Sequence, residues 1–180
     1  MSWYIQAIKN YVNFSGRARR KEYWMFFLFT IIFTIVAMIL DVALGIDFKI
    51  NAGGYGYYSY EVSLGYGPIY VLVSLFHWLP SMSVAVRRLH DSNRTGWWLF
   101  APVLIMLSAI FFGAIFIGGG MATNSESMAI TGGILAGILY LVGIGLGITS
   151  FVFLFFDGTK GDNRFGSSHK YDSEGNLLTN

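Results

Sequence analysis

The sequence predicts an all-α membrane protein with four transmembrane helices, and three observations support this fold class. Hydrophobic residues make up 54% of the 180 positions and charged residues only 12%, whereas a soluble domain has about 25% charged residues. The charges leave four apolar stretches of about the 20 residues that a helix needs to cross the hydrocarbon layer. Lys and Arg are also concentrated in alternate connecting segments, as in proteins that cross the membrane several times.

The composition excludes several other classes of protein. The formal net charge is only +2 and the mean hydropathy is +0.55, which argues against a disordered chain or a strongly basic nucleic-acid-binding protein. The chain has no cysteine, so disulfides, thiolate metal sites and a cysteine nucleophile are excluded. We expect no cofactor, no bound metal and no nucleic-acid partner.

The four predicted spans lie at about residues 24–46, 68–86, 97–117 and 130–156. Asp41 falls near the far end of the first span, where the interface makes its charge tolerable. Pro80 removes one backbone hydrogen bond from the second span and predicts a kink. The third span opens with the pair Trp97-Trp98, which is suited to the interface.

The fourth apolar window, residues 128–156, is longer than a span needs. As one helix it would extend about 43 Å at 1.5 Å per residue, so we expect its Gly132-Gly133 end to project into the outer interface or to break. The G-x-x-x-G spacing, which lets helices approach closely, occurs at Gly133/Gly137 and Gly143/Gly147. This spacing predicts either packing against the other spans or contact with a second copy in a homo-oligomer.

The orientation follows from the distribution of Lys and Arg. Eleven of the 12 lie in residues 1–23, 87–96 and 157–180, and Lys49 alone lies in the other connecting segments. Since retained cytoplasmic loops are enriched in these residues, both termini are predicted to be cytoplasmic. Residues 1–166 are expected to form a single four-span membrane domain, followed by a short cytoplasmic tail at 167–180.

The N-terminal segment is not expected to be a secretory signal, because its apolar stretch begins only at residue 24, is too long and lacks a nearby small-x-small cleavage site. Apolar residues recur at helical spacing over residues 2–14, opposite polar ones. We interpret this segment as an amphipathic helix on the inner leaflet that ends at Gly16. The Tyr- and Gly-rich outer segment 47–67 is expected to be a mobile loop or a small hairpin.

Polar residues concentrate in three blocks at the predicted cytoplasmic face: FSGRARRKEYW at 14–24, RRLHDSNRTGWW at 87–98 and DGTKGDNRFG at 157–166. In this order and at these positions, the blocks resemble the domain of unknown function 805 family of YhaH-type bacterial inner membrane proteins. The resemblance covers nearly the whole chain and implies an inner-membrane location. It implies no activity.

The blocks allow two interpretations. In the first, the arginines fix the topology and bind anionic lipid headgroups at about 1 kcal/mol for each basic residue, Asp91 and Asp157 pair with arginines, and the tail folds back over them. In the second, they form a pocket for a phosphate or carboxylate, in which Asp91 orients the His90 imidazole. The candidate binding residues are Arg17, Arg20, Arg87, Arg88, His90, Asp91, Arg94, Asn163 and Arg164.

Catalysis is not expected, because the chain lacks the spacing of a zinc protease, a P-loop or a nucleophile elbow. His77 is an intramembrane polar residue near the bilayer midplane. We expect it to be neutral and bonded to Ser74, Ser81, Ser108 or a carbonyl that Pro80 leaves free. The sequence thus favours an accessory or scaffold protein that binds anionic lipid headgroups or a membrane protein partner. The alternative is a specific binding or transport component for a small anion or lipid precursor.

Overall fold

The computed structural model describes residues 2–53, 59–168, 170–172 and 176–177. Over these ranges the elements are α1 Ser2–Lys9, α2 Arg20–Ala43, β1 Lys49–Gly53, β2 Ser59–Ser63, α3 Pro68–Asp91, α4 Trp97–Ala122 and α5 Glu126–Phe153. Among the described residues, four helices, α2 to α5, are long and apolar enough to cross a membrane. The predicted fold class, mostly helical with four candidate spans, is confirmed.

Two compact units make up the chain. The first contains residues 1–14 and 21–84, and the second contains residues 15–20 and 85–180. The boundary falls within α3, whose last turns belong to the second unit. The single membrane domain over residues 1–166 and the cytoplasmic placement of both termini stay predictions.

In the first unit, α2 ends earlier than predicted, at Ala43 instead of Ile46. Gly45 adopts a left-handed conformation with φ of +66°, which glycine tolerates without a Cβ penalty. Its N–H donates to the Val42 carbonyl at 3.0 Å, and the Ile46 N–H donates to the Asp41 carbonyl at 3.0 Å. These bonds form a Schellman motif, which terminates the helix and satisfies its last carbonyls.

The side chain of Asp41 is fully buried and caps the start of α3. Its carboxylate accepts hydrogen bonds from the backbone N–H groups of Gly67 at 2.8 Å, Ile69 at 3.0 Å and Tyr70 at 2.8 Å. The first N–H groups of a helix have no partner within it and carry a partial positive charge. The Asp41 charge is therefore stabilised by the end of a helix distant in sequence.

The N-terminal helix is shorter than predicted, because α1 ends at Lys9 rather than at Gly16. The Ser83 hydroxyl lies within hydrogen-bonding distance of the carbonyls of Asn10 at 2.8 Å and Asn13 at 2.7 Å, which gives the chain after Lys9 partners outside a helix. The Tyr4 ring packs against aromatic side chains of α2, with centroid distances of 5.5 Å to Phe26, Phe29 and Phe33.

Pro80 lies inside α3 and has no N–H to donate to the carbonyl of Phe76, four residues earlier. The Tyr11 hydroxyl donates to this carbonyl at 2.8 Å. The N-terminal segment therefore supplies the hydrogen bond that the proline removes.

The outer segment contains a hairpin, which was one of the two predicted alternatives. Strands β1 and β2 pair antiparallel, from Lys49 opposite Ser63 to Gly53 opposite Ser59. The predicted Tyr- and Gly-rich tip, residues 54–58, lies outside the described residues.

In the second unit, α4 packs closely against α5. A Cβ at Gly143 would lie 2.5 Å from the Met106 Cγ, and one at Gly113 would lie 2.9 Å from the Ala136 Cβ. By contrast, a Cβ at Gly133 or Gly137 would meet nothing within 4 Å. Of the predicted G-x-x-x-G residues, Gly143 thus serves the contact between these helices, whereas Gly133 and Gly137 do not. A Cβ at Gly147 would make only an ordinary contact, 3.8 Å from the Pro102 Cβ.

Helix α5 runs without a break through Gly132-Gly133, so breaking there, one of the two predicted outcomes, does not occur. The helix ends at Phe153 rather than at the predicted Phe156. The carbonyls of Leu154 and Phe156 instead accept hydrogen bonds from the Arg88 guanidinium.

Candidate functional site

The last turn of α3 carries a buried acid held between two arginines of the second unit. Asp91 Oδ1 lies 2.9 Å from Arg17 Nε, and Asp91 Oδ2 lies 2.5 Å from Arg88 Nη1. The side chains of both arginines are fully buried, and that of Asp91 is 11% exposed. A buried charge is costly unless it is paired and hydrogen-bonded. We call Arg17, Arg88 and Asp91 the buried triad.

The remaining donors of Arg17 bind the segment after α5. Nη2 donates to the Thr159 carbonyl at 2.7 Å, and Nη1 donates to the carbonyls of Gly161 at 2.8 Å and Gly166 at 3.3 Å. Gly161 has φ of +68°, a left-handed conformation that favours glycine. A single guanidinium therefore joins the first polar block to the third, and the tail segment 157–166 lies against the end of α3.

The backbone at Gly158 lies so close to the triad that a side chain at this position would not fit. A Cβ at this position would overlap the Asp91 carboxylate. The Thr159 N–H donates to the Asp91 carbonyl at 2.9 Å. The end of α3 itself is fixed by Asn93, which has φ of +58°, and by the hydrogen bond from the Arg94 N–H to the Leu89 carbonyl at 2.9 Å, another Schellman arrangement.

His90 does not interact with Asp91 as the second interpretation required. Its Nδ1 lies 3.2 Å from the Gly16 carbonyl, and its ring stacks on Phe165 with a centroid distance of 3.8 Å and an interplanar angle of 2°. Adjacent residues of a helix do not face each other, which explains why the two side chains have different partners.

Asn163 orders the tail segment. Its Nδ2 donates to the His90 carbonyl at 3.0 Å and to Thr159 Oγ1 at 2.9 Å, and its Oδ1 accepts from the Phe165 N–H at 2.9 Å. Asn163 is therefore a structural residue of this segment, and it positions the aromatic ring that covers His90.

The remaining candidate residues lie around the triad. Arg87 is buried, and its carbonyl accepts from the Ala18 N–H at 3.0 Å. Arg94 is exposed, with its guanidinium 4.3 Å from the Phe153 ring centroid. Arg164 is also exposed and donates to the Asn93 carbonyl at 3.1 Å.

Arg20 takes part in a surface ion pair. Arg20 Nη2 lies 3.2 Å and Lys170 Nζ 2.6 Å from Asp157 Oδ2. Partial burial raises the pKa of Asp157, but the hydrogen bond from Lys170 and the charge of Arg20 outweigh this effect, so the pKa lies below its ordinary value. The hydrogen bond to Asp157 in turn raises the pKa of Lys170.

His77 belongs to the first unit and lies on α3, 11 residues before Arg88. Its Nε2 lies 2.9 Å from the Tyr4 hydroxyl and its Nδ1 lies 2.8 Å from the Val73 carbonyl. These partners differ from the expected serines, and the carbonyl freed by Pro80 is bonded to Tyr11 instead. Because Tyr4 precedes His77 by 73 residues, no local pattern signalled the contact.

Several residues of the site lie in the third polar block but are not among the candidate binding residues. Thr159 and Phe165 supply a carbonyl, a hydroxyl and a ring, while Gly158 and Gly161 permit close approach. The glycines of the third block were the sequence signal from which this close approach of the tail segment could have been predicted. Among the described residues, no group of three or more His, Cys, Asp or Glu side chains is placed to hold a metal ion.

The fold and the polar cluster together define a multi-pass membrane protein, with four candidate membrane-spanning helices in the described part of the chain and an ordered Arg/Asp cluster at the ends of α3 and α5. Residues 11–167 match the family described as "Protein of unknown function (DUF805)". The chain belongs to this family, as the three polar blocks indicated.

Two relatives of this chain are named as inner membrane proteins. Inner membrane protein YhaH of Escherichia coli strain K12 is 45% identical over 98 residues, which are 54% of this chain and 69% of that protein. Inner membrane protein YhaI of the same strain is 31% identical over 173 residues, 96% of this chain and 99% of that protein. No solved structure matches. The chain is therefore a multi-pass inner membrane protein.

Proposed function

We propose that the protein is an accessory or scaffold protein whose exposed cations beside the buried triad, Arg94, Lys160 and Arg164, bind anionic phospholipid headgroups on the cytoplasmic face. The observation that carries the proposal is that the cations fall into two groups, one buried and paired and the other exposed. Arg17 and Arg88 are buried and bonded to Asp91 and to carbonyls, whereas Arg94, Lys160 and Arg164 are exposed.

Aromatic residues beside Arg94 support the proposal that this cation meets headgroups at the membrane interface. Arg94 lies over the ring of Phe153 and 5.9 Å from the Trp98 ring centroid, and the neighbouring Trp97 is 69% exposed. Trp residues favour the membrane interface, and exposed cations near it attract anionic headgroups by about 1 kcal/mol each. A cation held against an aromatic ring is also partly immobilised before a phosphate arrives.

A pocket for a free small anion finds less support. The Arg88 guanidinium that such a pocket would use donates to Asp91 and to the carbonyls of Leu154 and Phe156. A ligand would have to replace these bonds in a buried site, leaving acceptors without partners at about 1–3 kcal/mol each.

Native mass spectrometry of the purified protein with added phosphatidylglycerol tests the proposal. We expect Arg94→Gln and Arg164→Gln each to weaken phosphatidylglycerol binding by about fivefold, the equivalent of 1 kcal/mol. Lys49→Gln is the matched control, because it removes the same charge from the exposed strand β1. Equal binding by all three variants, or equal binding of phosphatidylcholine by the unchanged protein, would refute a specific role for the cluster.

A further inference from the structure

His90, in the last turn of α3, keeps one ring nitrogen that bonds to nothing in the described part of the chain. Its Nδ1 lies 3.2 Å from the Gly16 carbonyl. A carbonyl oxygen only accepts hydrogen bonds, so Nδ1 carries the proton and donates. Nε2 then bears a lone pair at pH 8, where an imidazole is mostly neutral. His90 therefore offers one hydrogen-bond acceptor of fixed position.

The His90 ring is held in place but is not enclosed. One of its faces stacks on Phe165, with a centroid distance of 3.8 Å and an interplanar angle of 2°. The side chain is nevertheless partly exposed, and the described residues do not bury the Nε2 atom. A molecule at the surface of the second unit can therefore donate a hydrogen bond to Nε2.

A cation contacts the same aromatic ring. Arg164 Cζ lies 4.7 Å from the Phe165 ring centroid, so the guanidinium and the His90 ring are no farther apart than the sum of their distances to that centroid. Arg164 is exposed, and its Nη2 donates to the Asn93 carbonyl at 3.1 Å, which restricts its position. A guanidinium has five N–H donors and binds phosphate well. Phe165 thus holds a phosphate-binding group close to a hydrogen-bond acceptor.

This combination discriminates among phosphate ligands. An ionised phosphate has only acceptor oxygens, which cannot bond to the lone pair of Nε2, so the ligand needs a donor beside its phosphate. A hydroxyl is such a donor. An ammonium also donates, but it would lie near the Arg164 guanidinium, and like charges repel each other. Hydrogen bonds of about 2.9 Å at both ends leave a gap that the few single bonds between phosphorus and a hydroxyl of glycerol can span.

We infer that this site recognises an anionic phospholipid whose headgroup carries a hydroxyl: the phosphate binds Arg164, and the hydroxyl donates to His90 Nε2. The inference rests on the proposed function, because it specifies which anionic lipid the exposed cations prefer. Phosphatidylglycerol has both groups. A lipid with the same charge and no headgroup hydroxyl makes only the contact with Arg164.

Native mass spectrometry of the full-length protein at pH 8 tests the inference. It compares phosphatidylglycerol with phosphatidylpropanol of the same acyl chains, which has the same charge and lacks the hydroxyls. We expect phosphatidylglycerol to bind about fivefold more tightly, as for one hydrogen bond. Equal binding of the two lipids would overturn the inference. The proposed function would survive that result if Arg164→Gln weakened both lipids, and it would fail if Arg164→Gln weakened neither.

Two variants of His90 separate recognition from a structural role. His90→Asn can still donate to the Gly16 carbonyl but has no atom at the position of Nε2. Binding of phosphatidylglycerol should therefore fall about fivefold, while binding of phosphatidylpropanol should not change. His90→Gln is the matched control, because its amide oxygen can reach the position of Nε2 and should keep the preference. Equal losses for both lipids in both variants would indicate a purely structural role and overturn the inference.

Glycerol 3-phosphate tests whether the ligand is a lipid. It has a phosphate and hydroxyls but no acyl chains, whose burial strengthens the binding of a lipid. It should therefore not displace phosphatidylglycerol at the same concentration. Displacement at equal concentration would indicate a site for the free phosphate and overturn the assignment to a phospholipid.

Discussion

Arg17 Nε lies 2.9 Å from Asp91 Oδ1, although the two residues are 74 positions apart. This contact joins the connection before α2 to the last turn of α3, and the same guanidinium binds carbonyls of the tail segment. One structure therefore contains residues of all three polar blocks: Arg17 of the first, Asp91 of the second and Gly161 of the third. The most direct test of this structure removes the charge of Asp91, which pairs with both Arg17 and Arg88.

Asp91→Asn should be strongly destabilising. It removes the carboxylate that pairs with both buried Arg17 and buried Arg88, and breaking a buried pair in this way costs about 3–5 kcal/mol. Denaturation of the detergent-solubilised protein measures the change. Asp157→Asn is the control, because its side chain is 43% exposed and surface pairs contribute about 0–1 kcal/mol. Comparable losses of stability in the two variants would show that the buried triad contributes no more than a surface ion pair.

Asp41→Asn should destabilise the first unit by about 1–3 kcal/mol, since the amide replaces an oxygen that accepts backbone N–H bonds at the start of α3. Hydrogen exchange of the amides of Gly67, Ile69 and Tyr70 should increase. Asp47→Asn serves as the comparison, because Asp47 bonds to the exposed Ser63 hydroxyl. Unaltered exchange in Asp41→Asn would be incompatible with capping by this carboxylate.

Gly143→Val should separate α4 from α5, because the added Cβ would lie 2.5 Å from Met106 Cγ and 3.3 Å from the Pro102 carbonyl oxygen. Overpacking of this kind costs about 1–3 kcal/mol. Gly137→Val adds the same side chain where nothing lies within 4 Å and should preserve the melting temperature. A Gly137→Val protein that is as unstable as Gly143→Val would argue for a contact at Gly137 beyond the single chain.

The contact between Lys170 and Asp157 should weaken at low pH. The pKa of Asp157 is lowered in the folded protein, so its contribution is present above the ordinary pKa of 3.8 and is lost as the pH falls through the folded value. The raised pKa of Lys170 acts in the opposite direction and matters only at high pH. Because these groups are partly exposed, the effect is below about 1 kcal/mol.

Limited proteolysis of the tail at pH 7 and at pH 3, with a protease that is active at each pH, measures this dependence. Cleavage near Lys170 should increase at the lower pH in the unchanged protein. In Asp157→Asn it should already be high at pH 7 and depend little on pH. A steep pH dependence that persists in this variant would place the responsible group elsewhere.

The blocks identified from the sequence contain the residues of the cluster, but not the partners of each one. His90 and Asp91 are neighbours in the chain, and the pairing considered between them is absent because their side chains leave the helix in different directions. Asn163 and Phe165 were part of the third block, yet their contact with His90 spans over 70 positions. No local pattern encodes such a contact.

The number and approximate positions of the candidate spanning helices were determined by the sequence alone, because transfer of a segment into the hydrocarbon layer depends on its own composition and length. The end of α5 and the polar pairings were decided by tertiary structure. Asp41 is stabilised by the N–H groups of Gly67, Ile69 and Tyr70, and α5 stops where Arg88 donates to the carbonyls that follow it. Buried polar groups must be satisfied, and here their partners come from distant parts of the chain.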